Sequence, residues 1–399
     1  MAKILAVSEM YWPEGGGGVL ATHLIVKTLK SLGFKVTVIH GSSKPDIING
    51  VRYIYSDLLS ARDKFRLWLN CVRLARDEWF LDLLEQHDVL YIPRYCYPLI
   101  PVAKRIGKRI VVHLHDYQLI SYNANVPAPY EAYRDRLREW VLEVERTKGF
   151  KRYAVASLFW WVPRLAQKWL VDADAIICVS RRQAEIIANT AKSLRNKITI
   201  VYNPIPTEDF TCINKKLDDT PTFLYVGGDS HIKGFKLLLK AIEILQRERI
   251  KLRLRLAGDY SAKSLRELKK LSGGKIEIEI YGRVPYEKLK ILHESLWGLL
   301  FPSITEEPLP YAVAESMASG TIPLASRVGG VPEIVEGTYA ERFLFKPEDV
   351  EEFINRIEEV ASMRRKDVLD VGARLREEVL RRFNMDKVKK QLLSIFGLV

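Results

Sequence analysis

The feature that most constrains the fold is a regular alternation of short apolar runs with longer amphipathic runs, which starts again about halfway along the chain. The short runs are apolar throughout rather than at every second position, as in strands that helices cover on both faces. Parallel strands need helical crossovers between them. The sequence therefore predicts an α/β protein with doubly wound parallel sheets, and its 399 residues exceed the size at which one core usually stops growing.

The first series of runs predicts a Rossmann-like domain over residues 1–203. Its strands are predicted at 3–10, 34–41, 51–56, 88–93, 109–115, 175–180 and 198–203, and two of its helices at 19–32 and 64–86. The stretch 203–221 is rich in Pro, Asp, Asn, Thr and Lys and lacks periodicity, which is typical of a linker.

A second Rossmann-like domain is predicted over 204–365. Its strands are expected at 222–228, 251–259, 275–282, 297–303 and 322–327, and its helices include 235–248, 286–295 and 310–320. The charged segment 366–399 is predicted to form C-terminal helices that pack across both domains. Two facing domains of this kind would form an interdomain cleft in which hinge closure encloses a ligand.

Charge and cysteine content indicate the kind of binding partner and the cellular compartment. The net charge of +13 and the pI near 9.4 indicate an anionic partner, but no helix-turn-helix, zinc-finger or stacking pattern favours nucleic acid. The first apolar run is too short for a signal peptide. Four widely spaced cysteines are expected to be reduced core thiols of a cytoplasmic protein: Cys71, Cys96, Cys178 and Cys212.

Candidate functional residues follow the predicted strands, because ligands of open α/β sheets bind beyond the carboxyl ends of the strands. The glycines 15–18 precede the first helix and allow a ligand to approach the backbone closely. A flexible turn without a binding function would have the same glycine-rich sequence. These glycines do not form the dinucleotide-binding fingerprint. His115 and Asp116 lie where the strand 109–115 ends, and His113 lies on the same face of the strand as His115. A histidine in such a strand can also be a hydrogen-bonded core residue, but His115 at the strand end is placed to meet a substrate. No third residue at metal-ligand spacing accompanies them, so no metal site is expected.

Two further groups lie in the second half. Gly228 and Lys233 come between a strand and a helix without the spacing of a P-loop, and Lys233 is placed to meet a diphosphate. Glu307 and Glu315 flank a helix start that has Pro310 in its first turn. They can bridge the hydroxyls of a sugar, or Glu307 can merely complement the helix dipole while Glu315 is solvated. With the lysine and the helix start, the set fits a nucleotide sugar.

These motifs carry a family resemblance that covers most of the chain. The chain resembles the retaining glycosyltransferases of family 4, which have the GT-B fold of two Rossmann-like domains. The matching elements, in order, are the GGGG loop, HLHD, ADAIICVS, ITIVYNP, LYVGG with HIKGFKLLLKAIEIL, LRLAGD, IYGRVPYEKL and FPSITEEPLPYAVAESMASGTIPLASRVGGVPEIVEG. The segment 297–337 is the most specific of them.

The resemblance implies a role for each matching residue. Glu315 would bond the ribose hydroxyls, Glu307 would hold the donor sugar, and His115 would contact that sugar near the reacting carbon. The diphosphate would meet Lys233, Gly17, Gly18 and backbone N–H groups near Leu309, and the base would lie near Arg283 and Val284. The first domain would be the acceptor side. No cofactor or metal is implied beyond the nucleotide-sugar donor, because lysine, arginine and helix dipoles replace the cation.

Two positions depart from the family pattern, and they leave alternatives open. The family usually has an arginine where this chain has Gly228 and a glycine where it has Pro310, so that phosphate contacts differ. Arg327 or Arg283 are candidates to replace the missing arginine. A GT-B epimerase or phosphorylase, or a catalytically inactive nucleotide-sugar-binding relative, is the alternative to an active transferase.

The segment 117–170 is longer than a simple crossover and bears on the acceptor. Its apolar stretch 153–163 is far shorter than the ~20 residues that span a bilayer. With Trp160, Trp161 and flanking lysines and arginines, it is a candidate for contact with an anionic membrane, and the alternative is a helix packed under the next strand. The expected acceptor is a hydroxyl of a glycan, a lipid-linked sugar or a small molecule, met in the cytoplasm or at the inner face of the membrane.

Overall fold

The structure is a computed structural model that describes residues 2–206, 210, 215–248 and 250–397. It forms two compact units. Unit 1 comprises Met1–Val126, Leu137–Pro204 and Asn384–Val399, and unit 2 comprises Pro127–Arg136 and Ile205–Phe383. Cys212 and part of the predicted linker lie outside the described residues, whereas Cys71, Cys96 and Cys178 are free and buried, as predicted.

Unit 1 is built on a parallel sheet. In the described residues its strands are β1 (Lys3–Ser8), β2 (Lys35–His40), β3 (Arg52–Tyr55), β4 (Val89–Ile92), β5 (Arg109–Leu114), β6 (Ala175–Cys178) and β7 (Ile198–Ile200). They lie in the order β3-β2-β1-β4-β5-β6-β7, and every pairing is parallel. The order reverses at β1, so the carboxyl ends of β1 and β4 border the point where α/β sheets bind ligands.

Helices cover this sheet. Those described in unit 1 up to residue 204 are α1 (Gly17–Ser31), α2 (Lys64–Leu74), α3 (Glu78–Glu85), α4 (Ile100–Arg105), α6 (Leu137–Thr147), α7 (Phe150–Leu158), α8 (Val162–Leu170) and α9 (Arg181–Thr190), and α5 (Tyr130–Tyr133) belongs to unit 2. The prediction of one helix over 64–86 was wrong. Asp77 has extended backbone angles and forms the N-cap of α3, a position that aspartate favours, so α2 ends before it.

Unit 2 contains a second parallel sheet. Its described strands are β8 (Thr222–Val226), β9 (Leu252–Ala257), β10 (Ile276–Gly282), β11 (Gly298–Phe301), β12 (Ile322–Ser326) and β13 (Leu344–Phe345), in the order β10-β9-β8-β11-β12-β13. The described helices around it are α10 (Phe235–Leu245), α11 (Ala262–Leu271), α12 (Tyr286–Leu292), α13 (Tyr311–Ala318), α14 (Val331–Val335), α15 (Val350–Ala361) and α16 (Arg365–Arg382). The prediction of two doubly wound parallel sheets is therefore confirmed.

Two segments are assigned to the units in a way that the sequence did not indicate. Residues 127–136 join unit 2, because Ala128 donates its N–H to Ile304 O at 3.0 Å and Pro127 bridges to Thr305. The C-terminal helices, expected to pack across both domains, are divided between the units. α16 belongs to unit 2, whereas α17 (Met385–Phe396) belongs to unit 1, where Phe396 packs edge-on against Tyr91 with ring centres 5.2 Å apart.

Candidate active site

The carboxyl ends of β8 and β11 lie side by side in unit 2, because these strands pair directly. A backbone hydrogen bond joins the loops that follow them. Ile304 N–H donates to Ile232 O at 3.1 Å, and Ser303 Oγ lies 3.1 Å from the same carbonyl oxygen. The loop that carries Lys233 is thereby tied to the loop that carries Glu307, although 74 residues separate them in the chain.

Lys233 and Glu307 form a partly buried ion pair. Lys233 Nζ donates to Glu307 Oε1 at 2.6 Å, and Ser303 Oγ donates to the same oxygen at 2.8 Å. Within the described residues, no protein group hydrogen-bonds the second oxygen, Oε2, which leaves it able to accept from a ligand hydroxyl. The pair thus presents an ammonium beside a carboxylate oxygen that can accept from hydroxyls, and Ser303 is a further contributor that no sequence pattern indicated.

Glycines hold the Lys233 loop in place. Gly234 has a φ of +79°, and a Cβ there would lie 1.8 Å from Pro302 O. Gly228 has a φ of +59°, and a Cβ there would lie 2.4 Å from Asp259 O. The backbone packing of Gly228 explains why this chain has no arginine at that position, since any side chain would overlap the loop after β9.

Glu315 is buried on α13, so the alternative of a solvated carboxylate was wrong. Its Oε1 accepts a hydrogen bond from Tyr286 Oη at 2.6 Å. Tyr286 opens α12 and was not among the predicted site residues, because nothing in the sequence reports a contact between side chains 29 residues apart. The phenol fixes the position of the carboxylate and leaves it with further acceptor capacity.

A third carboxylate, Glu306, has a structural task beside the site. It is buried, and it accepts from Tyr130 N–H at 2.9 Å and from Gly329 N–H at 2.7 Å. It therefore joins residues 127–136 and the loop before α14 to the loop after β11. Two adjacent glutamates were the available signal, but the sequence did not reveal which one faces inwards.

The remaining predicted residues of unit 2 lie around this region. Leu309 is buried just before α13, and Pro310 is the N-cap residue of that helix, which has no side-chain cap. Val284 packs against a core cluster that contains Leu224 and Leu299. Arg283 is exposed and pairs loosely with Asp259 at 3.4 Å, so its guanidinium can change partner at little cost.

In unit 1, the predicted residues Gly17, Gly18 and His115 fall at the start of α1 and the end of β5. A Cβ on Gly18 would lie 3.0 Å from His115 Cβ and 3.2 Å from Arg94 Nη1, so the helix start packs closely on both side chains. Neither ring nitrogen of His115 has a hydrogen-bond partner among the described residues. Buried ring nitrogens without a protein partner are suited to meet a ligand.

Arg94 brings a positive charge next to His115, which the sequence analysis did not foresee. Its Nε donates to the buried Glu9 Oε1 at 2.6 Å. Asp116, the next residue along from His115, accepts from Tyr95 Oη and from Gln118 N–H. The end of β5 is therefore a charged, hydrogen-bonded setting, in which Glu9 already pairs with Arg94.

Burial keeps the histidines of this strand neutral. It lowers the pKa of His113 to about 3, and it lowers the pKa of His115 well below its usual value, with further contributions from His113 and Arg94. In the unfolded chain both would titrate near the usual pKa of about 6.5. The unfolded state then binds protons that the native state excludes, so stability is lost as the pH falls from about 6.5 towards 3.

This linkage can be measured with His113→Gln. The substitution removes one excluded proton and keeps a polar group for Tyr91, whose Oη lies 3.0 Å from His113 Nδ1. Between pH 6 and pH 5, urea unfolding should show a loss of unfolding free energy that is smaller in the variant by roughly 1.2 kcal/mol. Equal losses in the two proteins would show that His113 titrates normally in the native state.

Among the described residues, no group of three or more His, Cys, Asp or Glu side chains has the arrangement that could hold a metal ion. The predicted metal-independent chemistry stays a prediction. The candidate donor residues lie in two groups, one in each unit: Gly17, Gly18, His115 and Arg94 in unit 1, and Lys233, Ser303, Glu307, Glu315 and Tyr286 in unit 2.

Comparison with solved structures identifies the fold. Over 99% of this chain and 98% of the other, it is similar to sucrose-phosphate synthase from Thermosynechococcus elongatus, with a TM-score of 0.71 and 18% identity. Anabaena HepE, solved in complex with UDP and glucose, matches over 99% of both chains with a TM-score of 0.66 and 15% identity. These likenesses show the GT-B fold.

Sequence comparison identifies the family. The model of glycosyltransferase family 4 matches residues 15–209, and that of glycosyl transferases group 1 matches 207–376. An uncharacterized glycosyltransferase of Methanocaldococcus jannaschii is 25% identical over 56% of this chain and 60% of its own length. One component of the phosphatidylinositol N-acetylglucosaminyltransferase of Arabidopsis thaliana is 23% identical over 90% of this chain and 74% of its own. The chain belongs to glycosyltransferase family 4.

Proposed function

We propose that this glycosyltransferase moves a sugar from a nucleotide-diphosphate sugar to a hydroxyl acceptor with retention of configuration and without a metal ion. The ion pair of Lys233 and Glu307 carries the proposal. It places a cation and a carboxylate with one unoccupied oxygen at adjoining strand ends. A donor needs both, because its diphosphate is anionic and its sugar carries hydroxyls.

Each residue then has a task in the transfer. Lys233 stabilises the charge that develops on the leaving diphosphate, aided by the uncapped start of α13. Glu307 orients the sugar, and Glu315 holds the ribose hydroxyls while Tyr286 fixes its carboxylate. His115, neutral at ordinary pH, offers its imidazole to the donor sugar. Arg94 adds positive charge beside it.

The donor class can be tested by thermal shift. UDP, UDP-glucose, UDP-N-acetylglucosamine and the matching GDP sugars should be compared, since the solved relative HepE was crystallised with UDP and glucose. A true donor at a hundred times its dissociation constant stabilises the fold by about 2.7 kcal/mol. Donor-dependent stabilisation that disappears in Lys233→Ala supports the assignment. No stabilisation by any nucleotide sugar would refute it.

We further propose a lipid-linked or membrane-proximal acceptor. The stretch 153–163 is not one helix but the end of α7, a turn and the start of α8. Four apolar side chains on α7 and the turn after it are exposed: Phe150 by 81%, Val155 by 39%, Leu158 by 69% and Trp161 by 47%. Lysines and arginines surround them. None of the helices that the structure describes has both the length and the apolar character to cross a bilayer, so contact would be with the surface.

Binding to vesicles tests this contact. The double variant Phe150→Ser, Leu158→Ser should bind vesicles rich in anionic phospholipid at least about tenfold more weakly than the wild type, because two large apolar side chains no longer enter the interface. Trp79→Ser is the matched control, since Trp79 is 42% exposed on α3. The proposal fails if the wild type does not sediment with vesicles, or if the control loses as much binding as the double variant.

A further inference from the structure

A pocket of about 480 Å³ lies in unit 1 between the start of α2, the loop after β5 and the helices α6 and α7. Five basic side chains line it: Arg62, Lys64, Lys148, Lys151 and Arg152. Only two acidic side chains do so, Asp63 and Glu145. The volume falls within the range of pockets that hold small ligands, and the lining gives it a net positive charge.

Both carboxylates already have hydrogen-bond or ion-pair partners in the protein. Asp63 caps α2 by accepting from Arg66 N–H at 2.9 Å. Glu145 is buried, and it pairs with Lys148 at 2.7 Å and with Arg152 at 3.8 Å. Outside the lining, Glu14 pairs with Arg62 at 3.0 Å. Three of the five basic side chains therefore have a protein carboxylate as partner, which leaves Lys64 and Lys151.

Two lysines of the pocket, Lys64 and Lys151, form no ion pair within the described residues. Lys64 Nζ makes no hydrogen bond within the described residues and lies 4.5 Å from the centre of the Tyr95 ring. Lys151 forms no ion pair in the same part of the chain. Burial lowers the pKa of Lys64, and the nearby carboxylates only partly oppose this. A bound anion would restore the lost stabilisation of the ammonium.

Asn123 adds an independent sign of a ligand. Its Oδ1 accepts from Ser121 Oγ at 2.5 Å and from Asn125 N–H at 3.2 Å, which fixes the orientation of the amide. Its Nδ2 is buried and has no acceptor among the described residues. The amide belongs to a residue that lines the pocket, so a buried donor is left for something that accepts. A pocket rich in donors and poor in acceptors suits an oxyanion.

We propose that this pocket binds the phosphate group of the acceptor substrate. The inference rests on the proposed transferase function. A phosphate has oxygens enough to accept from lysine, arginine and amide donors at once. The pocket exceeds the volume of a phosphate ion alone, so it also has room for the group that the phosphate esterifies. Val155 continues the lining onto α7, which carries the exposed Phe150 and Leu158.

Calorimetric titration of the full chain with dodecyl phosphate, below its micelle concentration, tests the site. Dodecyl maltoside supplies the same chain on an uncharged head, and inorganic phosphate supplies the head alone. Asn123→Asp keeps the acceptor at Oδ1 but replaces the donor with a negative charge, and Lys151→Glu reverses an exposed charge. Both variants should weaken binding of dodecyl phosphate by about tenfold or more. Lys35→Glu, the same change at an exposed position on β2, should stay within about twofold.

The outcomes separate the possible sources of the phosphate. Tighter binding of dodecyl phosphate than of inorganic phosphate assigns the site to a lipid phosphate, and equal binding of the two assigns it to a water-soluble phosphate compound. The proposal is overturned if the pocket variants bind dodecyl phosphate like the wild type, or if dodecyl maltoside binds as tightly. Donor titrations should give the same affinity in Asn123→Asp as in the wild type. If the wild type binds no donor, the proposed function is refuted, and the phosphate result still stands.

Discussion

Lys233→Ala and Glu307→Gln are each expected to lower kcat/KM for sugar transfer by roughly 10²–10³-fold. In the wild type the two side chains lie 2.6 Å apart, and Ser303 supports the same carboxylate oxygen. Alanine at 233 removes the charge that stabilises the leaving diphosphate. Glutamine at 307 keeps the shape of the side chain but removes the negative charge that holds both Lys233 and the sugar hydroxyls.

Steady-state kinetics with the donor found by thermal shift provides the measurement. Lys236→Ala is the matched control, because Lys236 is an exposed lysine on α10, three residues further along. Its kcat/KM should stay close to that of the wild type. Circular dichroism should show that both site variants remain folded, since their side chains are only partly buried. Transfer at the wild-type rate by either site variant would remove the pair from the mechanism.

Gly329→Ala is expected to destabilise unit 2 by about 4 kcal/mol or more and to abolish transfer. Gly329 has a φ of +51°, and a Cβ there would lie 1.9 Å from Glu307 O and 2.5 Å from Glu307 N. The conflict is with backbone, which cannot move aside without shifting the loop that positions Glu307. Its N–H also donates to Glu306 at 2.7 Å, so a shift would break that bond as well.

Gly274→Ala separates this overlap from backbone strain alone. Gly274 has a φ of +62°, and its Cβ would meet nothing within 4 Å. The control should therefore cost only the left-handed penalty of about 1–2 kcal/mol. Urea unfolding of the two variants gives the comparison. Similar losses of unfolding free energy in both would show that the loop after β11 has room to adjust.

The sequence was sufficient for the fold because the relevant signal is local. Each buried strand is a continuous apolar run, and each crossover helix shows its own periodicity, so two doubly wound sheets could be predicted without knowing the strand order. The failed helix at 64–86 is also local in origin. An aspartate within a run of helical periodicity does not by itself mark a break. Only the extended backbone of Asp77 in the structure shows that a new helix starts after it.

The site could be predicted only where its residues lie at strand ends. Lys233 and Glu307 were chosen as candidates in this way, but their pairing depends on β8 lying next to β11, which no residue pattern specifies. The hydrogen bond between Tyr286 and Glu315 and the inward orientation of Glu306 likewise depend on contacts between segments that are distant in the sequence. Arg94 was missed because its salt bridge to Glu9 joins loops 85 residues apart.

Hydrogen–deuterium exchange with and without a saturating nucleotide sugar tests the central claim most directly, because it locates the donor without needing the acceptor. The account predicts that the donor slows amide exchange in two segments of unit 2, residues 226–235 and 303–316, and that Lys233→Ala removes this protection. Protection that leaves both segments unchanged and appears only elsewhere, or that persists undiminished in Lys233→Ala, would contradict it.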